Sequence, residues 1–102
     1  MFLVFALDAK HRPAGEPWIA AVGSVACVEV HPRDVFREAI RRNAVAVIAC
    51  HNHPSGECEP SHEDTRLTSR LKQAGDLLGI PVLDHVVFSA NGHVSLAGRG
   101  EI

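Results

Sequence analysis

The run Ala44-Val-Ala-Val-Ile-Ala-Cys50, together with the histidine pair directly beyond it, constrains this chain most. It is apolar throughout and rich in β-branched residues, which predicts a strand covered on both faces, as in an α/β sheet. His51-Asn52-His53 emerges at the carboxyl end of that strand, the end at which ligand sites collect in open α/β sheets. Histidines at i and i+2 of an extended segment project to the same side, so both imidazoles can reach one ion. Ser61 and Asp64 come on the next predicted element. A carboxylate delivered there completes a set of two histidines and one aspartate. Three protein ligands with a fourth position left to water is the arrangement of catalytic zinc sites, whereas structural sites are closed by four.

Local signals place the remaining elements. Phe2 to Leu7 is an apolar run of strand length, and Asp8 to Gly15 reads as a turn. Residues 18–22 and 26–30 are two further strand candidates, broken at Gly23-Ser24. Pro32 suits the first turn of a helix, in which Val35, Phe36, Ala39 and Ile40 form an apolar stripe. Asn43 can close that helix in a left-handed conformation. Ser61 and Asp64 form the S-x-x-D pattern of a capping box, opening a helix with Leu67, Leu71, Ala74 and Leu78 on one face. Gly79 ends it and Pro81 keeps it ended. Residues 80–88 read as a strand, and Asn91-Gly92 as a hairpin turn into residues 93–97. The predicted class is α/β or α+β, a mixed sheet with helices packed on it.

At 102 residues, 46% hydrophobic and 22% charged, the chain is expected to form one domain with a real core. A net charge of −2 gives no general attraction to nucleic acid or anionic lipid. No apolar run approaches the roughly 20 residues of a membrane helix. The apolar start at Met1 has no basic leader and reads as a strand, not a signal peptide. The cysteines Cys27, Cys50 and Cys58 are few and odd in number, which suggests reduced thiols and a cytoplasmic location.

His51-x-His53, seven residues, Ser61, two residues and Asp64 together resemble the JAMM (MPN-plus) metalloprotease motif. The resemblance is closer to the bacterial RadC-type branch. His51-Asn-His-Pro-Ser-Gly56, Glu59-Pro-Ser61, Leu83-Asp-His85 and Val30-His-Pro-Arg33 all look like landmarks of that branch. The resemblance covers nearly the whole chain. It implies a cytidine-deaminase-like JAB/MPN fold and one zinc ion per chain, held by His51, His53 and Asp64. It also implies that Ser61 hydrogen-bonds the tetrahedral intermediate of peptide or isopeptide hydrolysis. RadC-type proteins carry a DNA-repair label and usually place a helix-hairpin-helix region ahead of this domain, a region that these 102 residues do not contain. JAMM enzymes use an upstream glutamate as general acid/base. In RadC-like sequences it falls at about the position preceding Met1, and neither Glu16 nor Glu29 stands where the pattern wants it.

Plainer readings stand beside these. Asp64 and Ser61 could serve the helix cap alone, and capping and catalysis would compete for the one Ser61 hydroxyl. Asp84 and His85 interrupt an apolar strand, either as a pair beside the zinc or facing substrate, or as a satisfied polar pair at a strand end. Cys50 and Cys58 flank the histidines and could take a soft metal, or be a small buried residue and a loop thiol. Arg33, Arg37 and Arg41, with Arg42 alongside, could track phosphates, or form a solvated helix face diluted by Asp34 and Glu38. Zinc deaminases are excluded, because their H-x-E and P-C-x-x-C pattern does not occur here. The expected function is therefore zinc-dependent hydrolysis of a peptide or protein substrate, impaired if the upstream glutamate is missing. The alternative is a non-catalytic metal-bearing module that meets DNA-bound partners.

Overall fold

The computed structural model describes residues 1–21, 30–53 and 56–102. In chain order these form β1 (Phe2–Leu7), β2 (Trp18–Ala21), α1 (Pro32–Arg41), β3 (Ala46–Asn52), α2 (His62–Leu78), β4 (Val82–Ser89) and β5 (Gly92–Ser95). The strands make one five-stranded sheet in the order β2-β1-β3-β4-β5. β3 and β4 run parallel, joined by α2, while the other pairs are antiparallel. This is a mixed α/β sheet with two helices, consistent with the JAB/MPN fold that the resemblance implies.

The strand expected over 26–30 lies outside the described residues except for Val30, which is buried in the core but outside any strand. Val22 lies outside them as well. β3 begins two residues later than expected and runs on through His51 to Asn52.

Short-range chemistry explains the helix boundaries. Pro32 opens α1. Asn43 then turns the chain at φ 55°, the left-handed conformation that asparagine tolerates better than most residues. Ser61 caps α2: its Oγ accepts the Asp64 backbone N–H, and the Asp64 carboxylate accepts the Ser61 backbone N–H. Gly79 stops α2 at φ 76°.

Both helices pack on one face of the sheet. Val35, Phe36 and Ala39 of α1 and Leu71 of α2 share a core with Phe2, Val4, Val47, Ala49 and Val82. The helices approach closely at Gly75, where a Cβ would stand 3.1 Å from the Phe36 ring and 2.5 Å from the Ile80 carbonyl oxygen. Two expectations of burial are corrected. Ile40 and Leu78, assigned to the apolar stripes, fall in the last turns of their helices and are exposed. β3 is not covered on both faces either. Val47 and Ala49 are buried under the helices, whereas Ile48 and Cys50 on the reverse side are half-buried. No helix among the described residues is long and apolar enough to cross a membrane.

Candidate metal centre

The site forms where the last residues of β3 meet the first turn of α2. His51 is the penultimate residue of β3, and His53 follows the strand directly. Their rings lie 5.1 Å apart, nearly perpendicular. Asp64 reaches them from the capped end of α2, with Oδ1 3.1 Å from His51 Nδ1 and Oδ2 2.9 Å from His53 Nε2. Among the described residues, His51, His53 and Asp64 are the group of His, Cys, Asp and Glu side chains able to hold a metal. One ligand atom from each lies within 4.8 Å of the others. Tetrahedral bonds of about 2.0–2.2 Å would put ligand atoms roughly 3.3–3.5 Å apart. The two histidine–aspartate distances, to different carboxylate oxygens, are a few tenths of an ångström shorter than this, and a separation of up to 4.8 Å within the set would close by about 1 Å. Rotations of these side chains on that scale fit an ion of that size.

The hydrogen-bond network adds a chemical argument. His53 Nδ1 is 3.0 Å from the Glu57 carbonyl oxygen. A carbonyl only accepts, so Nδ1 carries a proton and donates it. In the neutral imidazole Nε2 is then a lone pair, and it faces the Asp64 carboxylate at 2.9 Å. Two acceptors held face to face require a cation between them, a proton or a metal ion. A histidine oriented by a backbone carbonyl on its far nitrogen is also the usual arrangement of a metal ligand.

Asp64 is 4% exposed. Burial alone raises its carboxyl pKa, but the hydrogen bonds from His51 and from Ser61 outweigh that and hold it well below the usual carboxylate range. Ser61 is exposed, and its Oγ accepts the Asp64 N–H through a lone pair at 3.2 Å. Its own O–H remains able to donate outward, so the cap and an oxyanion contact do not compete.

Asp84 and His85 part company. His85 is fully buried, with its ring 6.2 Å from His51 and 5.4 Å from Phe2. Burial pushes its pKa down to about 4. The Asp84 carboxylate lies on the reverse face. It accepts the backbone N–H groups of His85 (2.7 Å) and Ala97 (2.9 Å) and the Ser95 hydroxyl (2.5 Å), tying β4 to the turn after β5.

A one-residue register shift separates them. Val47 pairs with Val82, but Ile48 pairs with Asp84, so Leu83 is the extra residue. Beyond it His85 and Val87, not Asp84, face the helices. Such shifts re-aim side chains beside functional sites.

Thr68 was not singled out by sequence. It is 2% exposed and bonded to His85 at 2.5 Å. The signal was present, because Asp64, Thr68, Leu71 and Gly75 follow helical spacing on the buried side of α2.

The other candidates lie elsewhere. Arg37 pairs with Asp34, Arg41 and Arg42 share Glu38, and Arg42 stacks on Trp18 with its guanidinium 4.6 Å from the ring centre. Arg33 is exposed. Neither Cys50 nor Cys58 joins the metal-ligating group; Cys27 and Glu29 lie outside the described residues. Burial and the Asp84 charge raise the Cys50 thiol pKa, which keeps it in the less reactive form. Gly56 and Glu59 are tied to the sheet end: the Ser89 and Asn91 side chains donate to the Gly56 carbonyl, and Arg99 pairs with Glu59.

Comparison with known proteins agrees with this architecture. Residues 1–101 match the family described as RadC-like JAB domain. Proteins named UPF0758 from Syntrophotalea carbinolica and Thermotoga maritima are 48% and 50% identical over 99 residues, 97% of this chain. One from Desulfitobacterium hafniense is 50% identical over the same length. The matched region is 43–44% of each relative, so the chain spans less than half their length. With its mixed sheet and a histidine pair facing a helix-borne aspartate, the chain belongs to the RadC-like JAB domain family.

Proposed function

We propose that this domain is a zinc-dependent hydrolase of the JAMM type, acting on a peptide or isopeptide bond. The observation that carries the reading is the geometry of His53, whose Nδ1 lies 3.0 Å from the Glu57 carbonyl oxygen while Nε2 lies 2.9 Å from the Asp64 carboxylate, so that a cation, a proton or a metal ion, is needed between Nε2 and the carboxylate. His51, His53 and Asp64 would hold the ion. Zinc bound there supplies a Lewis acid that polarises a carbonyl and acidifies water to a pKa of about 7. Ser61, exposed at the N-terminus of α2, directs its hydroxyl proton to the oxyanion that develops in the transition state.

A carboxylate must also carry the proton to the leaving amine. β1 pairs Phe2 with His51, and the Met1 ammonium donates to the Asn52 side chain at 2.8 Å. By strand alternation, a residue ahead of Met1 turns its side chain to the face that Phe2 and His51 occupy. A glutamate there would stand over the histidine pair.

Two measurements test the reading. Elemental analysis of protein purified without added metal should find about one zinc per chain, lost in His53→Ala. A chain carrying glutamate ahead of Met1 should then hydrolyse members of a peptide and isopeptide panel roughly 10²–10⁴-fold faster than one carrying glutamine there. A chain that takes up no zinc even when it is supplied removes the metal reading. Zinc binding without a glutamate-dependent rate removes the hydrolase reading and favours a non-catalytic module.

A further inference from the structure

The candidate ligands come from two elements, His51 and His53 from β3 and Asp64 from α2. The distance between strand and helix therefore sets the geometry of the centre. A buried hydrogen-bond relay joins α2 to β4, the strand paired with β3. Thr68 Oγ1 lies 2.7 Å from the Asp64 backbone carbonyl oxygen and 2.5 Å from His85 Nδ1. A carbonyl only accepts, so the Thr68 hydroxyl donates to Asp64 and must accept from His85. His85 consequently carries its proton on Nδ1. His85 sits on β4, where its register partner is Ala49 of β3, two residues before His51. The relay thus runs from the sheet beside the histidines to the backbone of the aspartate.

The assigned tautomer leaves His85 Nε2 as an acceptor, and among the described residues that buried atom has no hydrogen-bond partner. A buried polar group left unsatisfied lowers stability. An apolar residue of similar size would serve the core better, so packing alone does not explain the histidine. We infer that Thr68 and His85 are positioning residues, whose relay pins the first turn of α2 to the sheet and holds Asp64 against His51 and His53. This rests on the metal reading of the site and adds to it the pair that sets its geometry.

The test measures zinc affinity by competition with a chromophoric chelator, alongside thermal unfolding of the metal-free full chain. Thr68→Val, which keeps the shape and removes the hydroxyl, should weaken zinc binding about 10- to 100-fold. Thr68→Ser should recover most of that loss. His85→Leu should weaken zinc binding to a similar extent while the metal-free unfolding midpoint holds or rises, an opposition that a purely structural residue would not produce. Unchanged zinc affinity in Thr68→Val and His85→Leu, with His53→Ala losing it, overturns the relay and leaves the metal reading standing. Weakening that tracks an equal loss of metal-free stability, without rescue by serine, also overturns the relay. A parent chain that binds no zinc overturns both.

Discussion

The two faces of one sheet treat polarity in opposite ways. Under the helices, beside the end of β3, the chain buries Asp64, Thr68 and His85. On the reverse face of the same strands, Leu3, Phe5, Ile48 and Val86 are only half-buried, and Ile19 and Phe88 are exposed. Stability alone favours the inverse, because burying polar groups costs free energy and burying apolar ones gains it. Most of the covered face is the apolar core, and its polar groups gather at one end, beside the candidate ligands. Its polar groups are tolerated because most are hydrogen-bonded; among the described residues the exceptions are Trp18 Nε1 and His85 Nε2, the latter on a ring 6.2 Å from that of His51.

The largest expected effect is pH-dependent. His85 has a folded pKa of about 4, below its unfolded value near 6.5. As pH falls, the unfolded chain takes up this proton first. The associated stability is full above about pH 6.5 and is lost progressively down to about pH 4, on the order of 3 kcal/mol in all. Urea midpoints of the metal-free chain at pH 7 and pH 4.5 should show this loss, and His85→Leu should shrink it. Asp64, whose pKa is depressed, adds a further loss only at lower pH. An identical pH slope in parent and variant would show that His85 does not carry this loss.

Gly75→Ala comes next. Alanine in mid-helix normally gains up to about 1 kcal/mol over glycine. Here the new Cβ would meet the Ile80 carbonyl at 2.5 Å, so the expected outcome is a net loss of about 1–3 kcal/mol by chemical denaturation. Ser61→Ala removes the acceptor of the Asp64 N–H and should cost about 1 kcal/mol. If the chain is catalytic, turnover should fall further than that loss of stability accounts for. The smallest effect belongs to the bare face. Ile19→Thr should change stability by no more than about 0.5 kcal/mol and leave zinc affinity untouched. A large loss there would show that the reverse face is covered in solution.

Much of this was legible in residues taken a few at a time. The capping box of Ser61 and Asp64, the left-handed stops at Asn43 and Gly79, and the strand that delivers His51 and His53 all depend on chemistry within about one turn of chain. The candidate metal group was legible for the same reason: i, i+2 spacing on a strand and an N-terminal helix position each aim a side chain without reference to the rest of the molecule. What alternation could not supply was the pairing of β3 with β4. Counted from buried Val82, Asp84 should face the helices; a slip of one residue at Leu83 turns His85 inward and sends Asp84 to the reverse face. Side-chain direction in a strand has a period of two, so one extra residue reverses every assignment beyond it. That slip is a property of the neighbouring strand and leaves no mark in the local sequence. The same holds for the Thr68–His85 bond across 17 residues and for the helices' choice of a single face. Both depend on which elements meet, and only packing settles that.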